Sequence, residues 1–298
     1  MKGILLVDKA PGMTSHDVVD HIRKAAGTRR VGHTGTLDPA ATGLLIICVG
    51  EATRLSEHLT GLGKVYEGHM RLGVVTESYD MDGAIVEERP TPELSSDAIR
   101  DVFARYTGEI DQIPPMVSAV KVGGERLYKR ARKGETVDRP ARRVTVSEFA
   151  LLDYELPLIH FRVRCTSGTY VRSLCHDAGQ DFGCGAALNS LRRTAVGRHS
   201  VEDATPVADF KTLEDVETRL LPLGEALDLP SVVVRAGARG LLSRGGSLTG
   251  RDIKGECPVD QGWIQLKSSD GDLLALAQIQ TGPGHALIVP RRVFMKAS

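Results

Sequence analysis

Strand-like and helix-like segments do not alternate along this 298-residue chain, and nothing else in it constrains the fold as much. A doubly wound parallel sheet needs a βαβ rhythm, so the pattern points to an α+β fold with mixed or antiparallel pairing. Residues 3–8 and 44–49 are short apolar runs that read as buried strands, and Lys64–Leu72 alternates as a strand does. Thr14 caps a helix that runs to Ala26, with Asp17 at the capping-box position and Gly27 ending it. Residues 51–59, 95–106 and 169–182 read as further helices, while 144–154 and Leu158–Cys165 form a hairpin around Pro157. After a turn-rich stretch at 221–230, strand-like runs at 231–235, 263–267, 273–280 and 286–290 predict a smaller β-rich unit. The expected division is 1–228 and 229–298.

The 38 basic and 38 acidic residues cancel, which argues against a uniformly basic polyanion binder. Their distribution is uneven. Residues 121–143 carry nine basic and three acidic side chains, whereas 77–111 carry ten acidic and three basic ones. Such segregation gives one face a positive field on a neutral protein; the basic stretch is either a phosphate-binding surface or a solvated face. No apolar run approaches the roughly 18 residues of a membrane helix. The opening apolar stretch stops at Asp8, too short for a signal peptide, so a cytoplasmic protein away from membranes is expected. Five cysteines, an odd number without C-x-x-C spacing, predict buried thiols rather than disulfides or a zinc site.

Motifs that hold nucleotides or metals are missing from the sequence. It contains no G-x-x-x-x-G-K-[ST], no G-x-G-x-x-G after a strand, no H-E-x-x-H and no G-x-S-x-G. No cofactor and no metal are expected: if the chain is an enzyme, it works with side chains and substrate alone.

The densest unusual stretch is residues 32–43, GHTGTLDPAATG. Three glycines permit tight or left-handed turns, and Pro39 pushes Asp38 toward an extended conformation. A loop of this kind can hold one carboxylate rigidly in a cleft. Asp is also a favoured turn residue, so on residue type alone Asp38 is either that carboxylate or a turn closure.

This segment resembles the signature loop of the TruB family, the bacterial tRNA pseudouridine-55 synthases. The likeness continues in order through residues 3–15 (GILLVDKAPGMTS), 44–54 (LLIICVGEATR), 64–66 (KVY), 167–174 (SGTYVRSL) and 191–193 (LRR). One departure is Ala10 in place of the usual proline, which predicts a looser opening turn. The resemblance implies a pseudouridine-synthase fold, a mainly antiparallel mixed sheet flanked by helices, followed by a small PUA-like RNA-binding domain. It implies that one T-loop uridine of tRNA, position 55, is isomerised to pseudouridine after its base is flipped out. Asp38 would act at the glycosidic bond, by attack at C1′ or C6 or by taking the C2′ proton. Arg172 would pair with Asp38, and Tyr66 would stack on the base and serve a later proton transfer. Tyr170 and Leu191 would line the uracil pocket, and His33 would fill the place the nucleotide leaves. Lys9 would support the site or a phosphate, and Asp80 would help hold the site. Within an insertion at 113–143, Arg126, Lys129, Arg130, Arg132 and Lys133 would contact the RNA backbone and close over the T-loop. The implied partner is tRNA alone, with no protein partner and a monomeric enzyme. The rival reading is a tRNA-binding RNA chaperone in which catalysis is secondary.

Overall fold

A computed structural model describes residues 1–116, 121–122, 125–126, 137–258, 262–282 and 285–295. The apolar N-terminal runs build one half of a ten-stranded sheet. Strand β1 (Gly3–Lys9) is followed by helix α1 (Ser15–Ala26), strand β2 (Val31–His33) and strand β3 (Thr42–Val49). β3 pairs antiparallel with β1 along one edge. Its other edge is shared between β2, at 47–49, and a later strand, at 42–43. Alternate side chains of β1 and β3 enter two different cores. Leu5, Val7, Leu45, Ile47 and Val49 meet Val18, Val19 and Ile22 of α1. Ile4, Leu6, Leu44, Ile46 and Cys48 face the other way. Burial on both faces explains why these strands read as continuous apolar runs rather than alternating ones.

The second half comprises β4 (Lys64–Leu72), α2 (Ser96–Arg105), β5 (Gly108–Gln112), β6 (Arg142–Glu155), β7 (Leu158–Cys165), α3 (Val171–Asp181) and β8 (Ala186–Val196). The sheet runs Thr205–Pro206, β1, β3, β8, β4, β7, β6, β5. Only the β1 pairing with Thr205–Pro206 and the short β3–β8 pairing are parallel. Helices α2 and α3 cover one face, packing Ile99, Phe103, Leu174 and Ala178 on Met70, Phe149, Phe161 and Leu188.

A separate five-stranded sheet follows: β9 (Ser231–Val234), β10 (Ile253–Lys254), β11 (Gly262–Lys267), β12 (Leu273–Gly282) and β13 (His285–Val293), in the order β10-β9-β11-β12-β13. It has its own core around Val232, Ile264, Leu266 and Ala275. Leu273, Leu276 and Phe294 turn away from that core and join Ile4, Leu6, Leu44 and Ile46 of the large sheet. Among the described residues no helix is long and apolar enough to cross a membrane.

Strands β4 and β7 have the expected bounds, and α1 has its full capping box on Thr14 with Gly27 left-handed at its end. Four cysteines are buried and Cys257 is half-buried, and all five are free. Residues 51–59 depart from the expected helix. They form a 3-10 turn over Gly50–Leu55 and then a short helix, Ser56–Gly61. Thr53 and Ser56 hydroxyls donate to the carbonyls three residues back, competing with α-helical bonding. β8 has no strand signal in its sequence, since AALNSLRRTAV neither alternates nor is rich in β-branched residues. It forms because β3 and β4 both offer it an edge, and two bulges, at 188/190 and 193/195, adjust its register to β4.

Candidate active site

The loop after β2 is fixed at almost every residue. Thr34 bonds to the Ile46 carbonyl through both its N–H and its hydroxyl. Ser15, at the start of α1, donates to the Leu37 carbonyl and accepts from the Leu37 N–H. Pro39 O accepts from Gly12 N–H at 2.9 Å and from Lys9 Nζ at 3.0 Å. Asp38 therefore sits between two clamped neighbours. Lys9 is 0 % exposed, and its ammonium also donates to the Ala10 and Met13 carbonyls. The ammonium is thus turned onto the backbone of the two loops. The same bonds span the opening turn.

Gly43 ends the loop at φ +98°, directly beside Arg193 of β8. A Cβ there would lie 2.3 Å from the Arg193 carbonyl oxygen and 2.8 Å from its nitrogen. Gly43→Ala is expected to cost roughly 3 kcal/mol or more, through left-handed strain plus a backbone clash. A thermal unfolding midpoint equal to that of the parent protein would contradict this.

Arg172 stands in the first turn of α3, its side chain 6 % exposed. Its Nε lies 3.1 Å from Asp38 Oδ2 and its Nη1 lies 3.2 Å from Asp80 Oδ2. Nη1 also donates to the Ser78 carbonyl at 3.1 Å. One guanidinium thus aims two carboxylates from different loops. Asp80 is held by the Ser78 hydroxyl and by Asp82 N–H, while Thr76 Oγ1 donates to its main-chain carbonyl. Next to it Tyr79 adopts φ +66° and stacks on His176 at 3.9 Å. The Asp38 side chain is still 46 % exposed, so it faces the cleft as well as its partner. Enclosure by the cleft walls pushes its carboxyl above the usual range; Arg172 opposes this, while Asp80 and Asp82 reinforce it.

The cleft is about 260 Å³ and brings Asp38, Tyr66, Tyr170, Leu191 and Arg172 together, along with Lys64 and Arg193. Tyr66 lies on β4 directly opposite Arg193 of β8, and both side chains line the cleft. Tyr170 is positioned through its backbone: its N–H donates to Gln112 Oε1 at 2.7 Å, and its carbonyl accepts from Gln112 Nε2 at 2.9 Å. Asp80 lies one step away, on a small adjoining pocket that shares Asp38 and Leu191. His33 is half-buried on β2 and does not line the cleft. Its burial lowers the imidazole's basicity. Arg126 falls in a two-residue strand, Glu125–Arg126, paired with Lys121–Val122. Lys129, Arg130, Arg132 and Lys133 lie outside the described residues.

Sequence reasoning did not single out Ser15, Lys64, Gln112 or Arg193. Arg193 stands inside the quoted LRR motif, the one signal available for it. Gln112 has none, because its task is to bond a backbone 58 residues away. Burial pulls the Lys64 ammonium down to about 8, with Arg193 adding to the effect.

A half-open carboxylate aimed by a buried arginine, beside an enclosed phenol and an apolar wall, suits work on a base and its sugar. Two solved structures share this architecture. The chain in a Cbf5-Nop10-Gar1 complex superposes with a TM-score of 0.77 at 28 % identity, over 99 % of this chain and 85 % of that one. An H/ACA RNP bound to a substrate RNA containing 2′-deoxyuridine gives 0.76 at 25 %, over 99 % and 86 %. The large sheet with its helices has the pseudouridine-synthase fold. The family model "TruB family pseudouridylate synthase (N terminal domain)" matches residues 23–171, and "tRNA pseudouridylate synthase B C-terminal domain" matches 172–228. The chain belongs to the TruB family of pseudouridylate synthases, isomerases that exchange an N1–C1′ for a C5–C1′ bond. Among its relatives, the tRNA pseudouridine synthase B of Opitutus terrae is 47 % identical over 235 residues, 78 % of this chain and 97 % of that protein. That of Thermobifida fusca is 42 % identical over 297 residues, 96 % and 98 % of the two chains.

Proposed function

We propose that this chain isomerises the T-loop uridine at position 55 of tRNA, with Asp38 as its catalytic carboxylate. The observation that carries the reading is the Asp38–Arg172–Asp80 bridge at 3.1 and 3.2 Å beneath a loop clamped on both sides of Asp38. The relatives' names supply tRNA as the substrate class. Arg172 keeps Asp38 aimed and ionised, and Tyr66 packs on the extruded base. Tyr170 and Leu191 close the sides of the uracil pocket. A stacked uridine is out of reach of such a cleft, so flipping is part of the reaction and costs a few kcal/mol. His33, outside the cleft, fills the vacated place in the loop. Arg126, Lys129, Arg130, Arg132 and Lys133 neutralise RNA phosphates, which makes binding weaken with salt. In this reading residues 1–228 are the catalytic unit and 229–298 a PUA-like RNA-binding unit. The enzyme works as a cytoplasmic monomer on tRNA alone.

The test is tritium release from a tRNA transcript labelled at uridine C5, since forming the C5–C1′ bond expels that hydrogen. Stoichiometric release, lost when uridine 55 alone is replaced by cytidine, is the expected result. Tight tRNA binding without release would overturn the catalytic reading, and undiminished release from the cytidine-55 transcript would overturn the site assignment.

A further inference from the structure

Arg193 is an unusual side chain to find in the wall of this cleft. It is 1 % exposed and among the largest fully buried side chains, yet among the described residues no carboxylate pairs with it. Burying a cation without a counter-charge is costly unless its donors are used. Two of them are used on the scaffold: Nε donates to the Leu44 carbonyl at 2.7 Å and Nη2 to the Gly35 carbonyl at 3.1 Å. Both acceptors flank the Asp38 loop, so the guanidinium cannot drift. What remains of it lines the cleft beside Tyr66, its neighbour across the β4–β8 ladder.

We infer that Arg193 is a positioning residue that holds the Tyr66 hydroxyl as the acceptor of the C5 proton. This rests on the reading that Tyr66 lies against the target base. After the C5–C1′ bond has formed, C5 carries both the sugar and its original hydrogen. The Tyr66 hydroxyl gives up its own proton to water as its oxygen takes that proton, and the C–H electron pair becomes the C5=C6 double bond. The former C6=N1 pair moves to N1, which takes a proton from water, and Tyr66 ends as the neutral phenol it began as. No oxidant or reductant enters. The groups around Tyr66 fit this task. Enclosure pushes the phenol upward, Arg193 pulls it back, and Cys165 of β7 and Asp38 of the loop oppose that pull. Lys64, two residues along β4, spends its ammonium on the Thr60 and Leu62 carbonyls. Arg193 is therefore the cation that favours the phenolate.

The test compares two substrates and two variants. Arg193→Lys keeps a charge but loses the planar fork, and Arg193→Gln loses the charge. On tRNA with ordinary uridine both are expected to lower kcat, Arg193→Gln by about 100-fold, the scale of a general-base contribution. A primary deuterium isotope effect at C5 should emerge, and the alkaline shift of the pH profile should be larger for the glutamine variant. On tRNA carrying 5-fluorouridine no C5 proton exists to remove, so rearrangement of that base should proceed at the parent rate. Equal slowing on both substrates, or a change in KM alone, would sink the proposal and leave Arg193 a structural strut. Failure of the parent enzyme to rearrange either substrate would instead count against the proposed function. Supplying 3-fluorotyrosine, a more acidic phenol, should recover part of the Arg193→Gln loss if the protein folds.

Discussion

Asp38→Asn is expected to abolish tritium release from C5-labelled tRNA, a loss of about 10⁴-fold or more, on the scale of removing a nucleophile from its unit. The amide fills the same space, and Arg172 keeps Asp80 and the Ser78 carbonyl as partners. Binding of tRNA and the unfolding midpoint should therefore stay close to those of the parent. Retained folding activity toward tRNA in this variant would mark a chaperone function separable from catalysis. The parent enzyme should also show an acid limb traceable to Asp38. Its carboxyl titrates above the ordinary range because the cleft encloses it, so activity falls as pH drops through that raised value. A rate that holds down to the pKa of a free aspartate would mean that Asp38 is not the group being titrated.

Replacing Arg172 should damage both activity and stability. Arg172→Met preserves bulk and leaves Asp38 and Asp80 facing each other without their shared cation. Activity is expected to fall about 10³-fold, comparable to losing a preorganised charge from an active site. Stability should fall by roughly 3 kcal/mol, the lower end for breaking a buried pair, because Asp38 remains half-open to solvent. The pH dependence carries a definite sign. Without Arg172 the Asp38 carboxyl rises further above its unfolded value, so the native state binds more protons than the unfolded chain. Relative to the parent, the variant should regain stability as pH falls through that raised value. Parallel stability curves for the two proteins would refute the role of Arg172 in setting the charge of Asp38.

What the sequence made legible follows from where its local physics and the tertiary structure agree. The capping box at Thr14 and the alternation of β4 are local, and both appear at the expected residues. Asp38 stood out because glycines and a proline surround it, whereas the bonds from Ser15, Lys9 and Gly12 that fix its neighbours left no such mark. β8 was illegible for the opposite reason: its polar, alanine-rich sequence is a strand only because β3 and β4 flank it. The same holds within the site. Arg172 was singled out by the family resemblance alone; its spacing does not show that Asp38 and Asp80 converge on it from loops far away in sequence. Gln112 and Ser15 work by bonding distant backbones, a task that leaves no mark in spacing or composition.

The apolar far face of β1 and β3 is closed by Leu273, Leu276 and Phe294 from the second sheet, together with Leu223, Ala226 and Leu227 of the intervening stretch. Gln265 of β11 fastens that stretch by donating to the Leu227 and Leu229 carbonyls. The two sheets are therefore not beads on a string. Detaching the smaller one would bare a contiguous oily surface on the strands that carry the Asp38 loop. Replacing the smaller sheet in this protein is then a core-redesign problem, because the substitute must bring a matching inner lining as well as its own outer surface.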